Sequence, residues 1–133
     1  MSRVRVFIAC SLDGFIAGPG DDLSWLPDPP EGSAEDYGWG DFIGDIGCIL
    51  MGRRTFDAVA AMDVAWPHPE RDTLVATHRP LDGAPPRAEP ACGSIDELIA
   101  AARERSAPRS VYIDGGNLIR QALDRGLIDE LIV

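Results

Sequence analysis

Lysine is absent. All twelve basic residues of the 133-residue chain are arginines, which excludes a lysine Schiff base and a lysine general base. Cysteine is scarce: Cys10, Cys48 and Cys92 are scattered, with no C-x-x-C. Cys10 and Cys48 lie in apolar runs and read as buried free thiols of a reducing compartment. His68 and His78, the two histidines, are ten apart in expected loops, so a zinc site is not expected. No apolar run approaches the ~20 residues of a membrane span. Arg3 and Arg5 precede no apolar signal core, so the expected location is the cytoplasm. Positive charge is short overall. A net charge of -10 disfavours nucleic acid and leaves room only for local capture of a small anion.

The chain does carry a regular alternation. The apolar run Val4–Cys10 predicts a strand covered on both faces and Gly47–Met51 a second buried strand; residues 73–77 and 110–114 predict two more, and "DELIV" begins a last strand. A further short strand is possible around Ala91. Between the strands, helices are predicted from Ser33 or Ala34 to about Ile43, over "RRTFDAVAAM", from Ser94 onward, and from Leu118 to Arg125. On the second, Phe56, Val59 and Ala60 share one face. Ser94 and Glu97 form an S-x-x-E capping box. Gly126 stops the last helix. Strand–helix alternation of this kind predicts one α/β domain, three-layer αβα, with a mostly parallel sheet and helices on both faces.

In such sheets ligands bind beyond the carboxyl ends of the strands. Three strand ends carry anion-binding residue types. In "MGRRTF", Gly52 permits close backbone approach, and Arg53, Arg54 and Thr55 fall on the first turn of a helix, whose free N–H groups favour anions. The alternative is a helix start with solvated arginines. In "TLVATHRP", Thr77, His78 and Arg79 combine a hydroxyl, an imidazole and a guanidinium, a phosphate-monoester clamp or an ordinary polar turn. In "YIDGGNLIRQAL", Gly115 and Gly116 join strand to helix without side chains, although the G-x-G-x-x-G fingerprint is missing. A fourth segment, "SLDGFIAGPGDD", leaves the first strand with three glycines and the apolar Phe15 and Ile16, and reads as a lid. Asp13 sits where it could serve the reacting centre or form an Asx turn into Gly14.

Taken together, "SLDGFIAG" (11–18), "MGRRTF" (51–56), "TLVATHR" (73–79), "IDGGNLIRQAL" (113–123) and "IDELIV" (128–133) resemble the dihydrofolate-reductase-like superfamily. The nearer branch contains the reductase domain of the riboflavin-biosynthesis deaminase-reductase, in a stand-alone form. The resemblance implies that NADPH is the cofactor. Gly52, Arg53, Arg54 and Thr55 would hold the pyrophosphate and adenosine side. Thr77, His78 and Arg79 would face the 2′-phosphate. Gly115, Gly116 and Asn117 would cradle the nicotinamide-side phosphate, often with a cis peptide between the glycines. Ala9, Ile16 and Gly18 would line the nicotinamide, and Asp13 would be catalytic. The implied reaction is hydride transfer to a small pyrimidine-, pterin- or folate-like or ribosylaminopyrimidine substrate. An NADP(H)-binding protein of the same fold without turnover is the alternative, and a purely structural interaction domain is a third.

Within this resemblance "WLPDPPEG" (25–32) only partly matches the family's Trp-x-Leu-Pro-x-Asp/Glu pattern, because Asp28 follows Trp25-Leu26-Pro27 at once; Asp36 and Asp41 are alternatives as proton donor, or solvated acids. Phe15 stands after SLDG where the riboflavin enzymes usually have a basic residue. No H-x-E or P-C-x-x-C deaminase motif is present. The family continues past "DELIV", so residues 1–133 are expected to form a single domain lacking the last strands, with a homodimer covering the edge.

Overall fold

The computed structural model describes residues 2–26 and 36–133. In chain order the elements are β1 (Val4–Phe7), a 3-10 turn (Pro19–Asp21), α1 (Trp39–Gly44), β2 (Ile46–Gly52), α2 (Arg53–Ala60), β3 (Asp72–Ala76), β4 (Ala88–Ala91), α3 (Ile95–Ser106), β5 (Ser110–Asp114), α4 (Gly116–Asp124) and β6 (Glu130–Ile132). The six strands make one sheet in the order β4-β3-β2-β5-β1-β6, and every pairing is parallel.

That order explains the layering. From β1 to β4 the chain steps toward one edge of the sheet, and from β4 to β6 it returns toward the other. Right-handed crossovers therefore place α1 and α2 on one face and α3 and α4 on the opposite face. The side chains agree. Val4, Val6, Cys48, Leu50, Val111 and Ile113 pack under Leu98, Ile99, Leu118 and Ala122 of α3 and α4. Ile49, Met51, Val75 and Tyr112 pack under Phe42 of α1 and Phe56 of α2. The expected three-layer α/β architecture is what the chain adopts.

Most element boundaries fall within two residues of expectation. The capping box is formed: Glu97 N–H donates to Ser94 Oγ (3.2 Å), and Ser94 N–H donates to Glu97 Oε2 (3.1 Å). Three local expectations are corrected. β1 stops at Phe7, because the chain then leaves the ladder for the lid, and Cys10 is consequently half-buried while Cys92 is exposed. Cys48 is fully buried, and burial pushes its thiol up to about 12. Ala60 is exposed rather than packed. The start of the helix expected at Ser33 or Ala34, and the Pro-rich run from Pro27, lie outside the described residues.

Two departures from simple alternation have physical causes. The register of β2 against β5 shifts between Ile46 and Cys48, so Ile46 joins the α1–α2 side while Cys48 faces α3. Gly47 sits at that shift, where a Cβ would lie 2.5 Å from the Ser106 carbonyl at the end of α3. Arg5 interrupts an apolar strand yet is buried. Its guanidinium lies 4.8 Å from the centre of the Phe42 ring, and it pairs with Asp45 (3.0 Å) and with Glu130. The charge is thus compensated on two sides and stacked on a third. Among the described residues no helix is long and apolar enough to cross a membrane.

The loop between α2 and β3 carries a buried imidazole. His68 packs edge-on against Trp66, with ring centres 6.0 Å apart, and its Nδ1 has no hydrogen-bond partner. Burial, and then the nearby charge of Arg71, hold its pKa below the ordinary 6.5. A base with a depressed folded pKa takes up a proton on unfolding, so its contribution is intact above pH 6.5 and is lost as pH falls below it. We expect urea midpoints of the native chain to fall on acidification from pH 7 more steeply than those of His68→Phe. Parallel pH profiles would place the imidazole in water.

Candidate functional site

The carboxyl ends of β3, β2 and β5 are neighbours in the sheet, and β1 lies next to β5. Parallel strands are about 4.8 Å apart, so β3 to β1 spans about 14 Å. The three expected anion-binding loops and the lid therefore line one trough in the order Thr77–Arg79, Gly52–Thr55, Gly115–Asn117 and residues 9–18.

At the β3 end, Thr77, His78 and Arg79 join Pro80, Pro90, Ala91 and Cys92 around a cavity of about 230 Å³. The Arg79 backbone N–H donates to Thr77 Oγ1 (3.2 Å), which closes the turn and leaves the Arg79 side chain exposed. Arg53, at the start of α2, reaches across to this loop. It donates to Thr77 Oγ1 (3.4 Å) and the Pro80 carbonyl (3.3 Å), and pairs with Asp57 one turn on (2.9 Å). Arg53 therefore ties two of the loops together. Arg54 is exposed on the same first turn.

The β2 and β5 ends touch directly. Gly115 has φ +109°, and a Cβ on it would fall 2.7 Å from Thr55 Oγ1 and 3.6 Å from Gly52 N. A Cβ on Gly116 would meet Ile16 Cδ1 at 2.6 Å. The glycine pair is thus a cradle whose floor is Gly52 and Thr55 and whose cover is the lid residue Ile16. Asn117 is exposed on the first turn of α4 and accepts a hydrogen bond from Gln121 (3.0 Å). The cis peptide among the described residues is Ala107–Pro108, so the Gly115–Gly116 bond is trans.

The lid is internally tied. Ser11 N–H donates to the Phe15 carbonyl (2.8 Å), Phe15 N–H donates to Ser11 Oγ (3.0 Å), and Ser11 Oγ donates to Asp13. Gly18 and Asp22 form an antiparallel bridge. Asp13 is exposed and, with Ser11, Phe15, Gly18, Asp22 and Trp25, lines a larger cavity of about 670 Å³. Ala9 is exposed where the chain leaves β1. Asp28 lies outside the described residues. Asp36 accepts from Gly40 N–H (3.0 Å) and Gly38 N–H (2.9 Å) at the start of α1, and these bonds hold its carboxyl below the usual range. That makes Asp36 a helix cap that stays ionised rather than a proton donor. Asp41 is exposed in the first turn of α1.

The sequence reading passed over one acid. Asp114 ends β5, in register with Met51 and immediately before the glycine cradle. Burial raises its pKa, only partly offset by the Gly115 N–H it accepts. Tyr112, on the same side of β5, is also pushed up by burial and by the Asp114 charge. A signal was present: an acid between a buried strand and a glycine pair is poorly placed for solvation.

Comparisons with known proteins bear on this arrangement. No family model matches the chain. It is 30% identical to a protein of Shewanella sp. PV-4 provisionally assigned to riboflavin biosynthesis, with a TM-score of 0.81 over 97% of this chain and 73% of that one. The chain belongs to the same family as this riboflavin-biosynthesis-like Shewanella protein, and its fold is dihydrofolate-reductase-like. Within the same fold, the Thermotoga maritima diaminohydroxyphosphoribosylaminopyrimidine deaminase/5-amino-6-(5-phosphoribosylamino)uracil reductase is 17% identical. It superposes with a TM-score of 0.61 over 93% of this chain and 42% of that one. Two Bacillus subtilis (strain 168) proteins of uncharacterised role also match. YwjB is 27% identical over 132 residues, covering 98% of this chain and 74% of its own length. YyaP is 39% identical over 56 residues, covering 41% and 27%.

The buried acid yields a stability test. A raised carboxyl pKa means the folded state is favoured while Asp114 is protonated, and that contribution is lost as pH rises through the folded pKa. We expect Asp114→Asn to raise the melting temperature at pH 7 and the advantage to vanish below the ordinary carboxyl value of 3.8. A variant less stable at both pH values would show instead that the Asp114 carboxylate is held by favourable bonds.

Proposed function

We propose that the chain is an NADPH-dependent reductase of a small nitrogen heterocycle of the pyrimidine, pterin, folate or ribosylaminopyrimidine type. The observation that carries this is the juxtaposition, at one sheet edge, of a glycine cradle, a basic turn and an apolar lid residue resting on the cradle. A phosphate-bearing, ring-ended ligand fits each part. Thr77, His78 and Arg79 would take the 2′-phosphate in their cavity. Gly52, Arg53, Arg54 and Thr55 would take the pyrophosphate and adenosine side, with Arg53 exchanging its bonds to Thr77 and Pro80 for phosphate oxygens. Gly115, Gly116 and Asn117 would take the phosphate next to the nicotinamide, and Ala9, Ile16 and Gly18 the ring.

When bound, the cofactor supplies a hydride to the carbon of a C=N or C=O bond, and the nitrogen or oxygen takes a proton. On the protein side Ile16 covers the ring site against water. Asp13 faces the larger cavity, where its carboxylate can orient a substrate N–H or pass a proton from solvent. Asp114 is a second acid at the cradle, held toward its neutral form by burial. Leu131, exposed on the edge strand β6, supports the expected homodimer. An NADP(H)-binding protein without turnover is the second reading. It is favoured by the commitment of Asp13 to the Ser11 turn.

The test is a paired titration of NADPH and NADH by calorimetry. Arg79→Ala should weaken NADPH by about 10- to 100-fold, the worth of a charge-assisted bond of ~1.5–3 kcal/mol, and leave NADH nearly unchanged. Equal losses would remove the phosphate assignment from that turn. Given a substrate that turns over, Asp13→Asn should lower kcat with cofactor affinity intact, and unaltered kcat would return Asp13 to a turn-forming role.

A further inference from the structure

The lid cavity has an unusual electrostatic makeup. Among the described residues its lining includes the carboxylates of Asp13 and Asp22, the rings of Phe15 and Trp25, and no Arg, Lys or His. The deficit reaches beyond the lining. From Val6 to Gly52 the sequence has no Arg, Lys or His and carries Asp or Glu at nine positions. The aromatic rings are presented rather than packed away: Phe15 is 65% exposed and Trp25 37%.

Each feature bears on charge. A phosphate or carboxylate entering this cavity would meet two exposed carboxylates and no compensating cation among the described lining residues, a like-charge approach that costs free energy. A cation would meet the two carboxylates, and the faces of Phe15 and Trp25 attract positive charge through their quadrupoles. Asp22 is held in its ionised form: Ser24 N–H (3.0 Å) and Ser24 Oγ (2.8 Å) both donate to it, keeping its carboxyl below the usual range. Asp13 is fixed in place by Ser11. The cavity, about 670 Å³, is large enough for a bicyclic ring system.

From this we infer that the substrate subsite under the lid selects a planar, cationic, non-phosphorylated molecule and rejects phosphorylated ones. The inference rests on the reductase reading only for the word substrate; the charge selectivity belongs to the cavity itself. It narrows the proposed reaction to heterocycles without a phosphoribosyl group. It also divides the trough by charge, with anionic groups of a ligand at the β2–β3 end and a cationic ring at the lid.

The experiment uses the full chain and three probes of similar size: N-methylquinolinium (cation), 2-naphthol (neutral) and 2-naphthyl phosphate (anion). Affinities are measured by tryptophan fluorescence and calorimetry at pH 7, without and with saturating NADP⁺, which occupies the basic turn. The cation is expected to bind about tenfold tighter than the neutral probe, and the phosphate not to bind with NADP⁺ present. Asp22→Asn should weaken the cation about tenfold and leave the neutral probe unchanged. Asp22→Arg should admit the phosphate. Rising salt should erode the cation preference. Equal affinity for cation and phosphate, or a cation affinity unmoved by both variants, overturns the inference. Failure of NADP⁺ to bind while the cation preference and its Asp22 dependence persist would sink the reductase reading and uphold the subsite. Bound NADP⁺ with no charge preference would do the reverse.

Discussion

Everything functional in this chain depends on the parallel pairing of β2 between β3 and β5. Residues 48–51 of β2 have no solvent exposure at all, and they run in unbroken register with Asp72–Val75 on one side and Val111–Asp114 on the other. A parallel strand points all its neighbours the same way. Once these three are in register, their carboxyl ends must emerge side by side, and whatever loops follow them must share one edge. The loops here are a basic turn, a helix start with arginines, and a glycine pair. Their meeting is a geometric result of the ladder: the chain runs so close at Gly115 that an added Cβ would fall 2.7 Å from Thr55 Oγ1.

Several of these relations were legible in the residues alone. The runs at 47–51 and 110–114 announced strands, the first of them buried, because no charged residue interrupts 47–51 or precedes Asp114 in 110–114. Ser94 and Glu97 announced a helix start through a local bond that needs no tertiary context. The resemblance carried by "SLDGFIAG", "MGRRTF" and "IDGGNLIRQAL" led to the family that the Shewanella protein then supported. Other relations depend on which distant groups the fold brings together. Arg5 is buried because Asp45 and Glu130, 40 and 125 residues away in sequence, converge on it, and no local pattern holds that information. Asp114 drew no reading from the sequence, because its burial comes from the packing around β5. Asp36 is a solvated acid, as it looked, and the left-handed Gly38 bends the chain so that two N–H groups also reach it. Backbone geometry of that kind is not written in hydropathy.

The distribution of charge adds a second level of order to the trough. An acidic protein ordinarily repels phosphorylated ligands as a whole. Here Arg53, Arg54 and Arg79 stand at the β2 and β3 ends, while among the described residues the charged groups lining the lid cavity are the acids Asp13 and Asp22. Arg53 illustrates the arrangement. Its ties to Asp57, Thr77 and Pro80 hold it in place without a ligand. A guanidinium held in this way loses less side-chain freedom when it engages phosphate than one waving in solvent.

The strand order has one more consequence, for how the molecule comes into being. β1 is laid down first, yet both of its neighbours, β5 and β6, come from the far end of the chain: Val4 pairs with Val111, and Phe7 with Ile132. While the chain emerges from the ribosome, β1 and the lid behind it have no strand to join. β2, β3 and β4 can pair among themselves, but the cradle at Gly115 does not yet exist. Insertion of β5 between β2 and β1 is thus the step that assembles sheet, trough and lid at once, and closing so long a loop makes it a slow one. Until that insertion the nascent chain exposes an unpaired apolar strand to its surroundings, a window in which chaperones or self-association compete with folding.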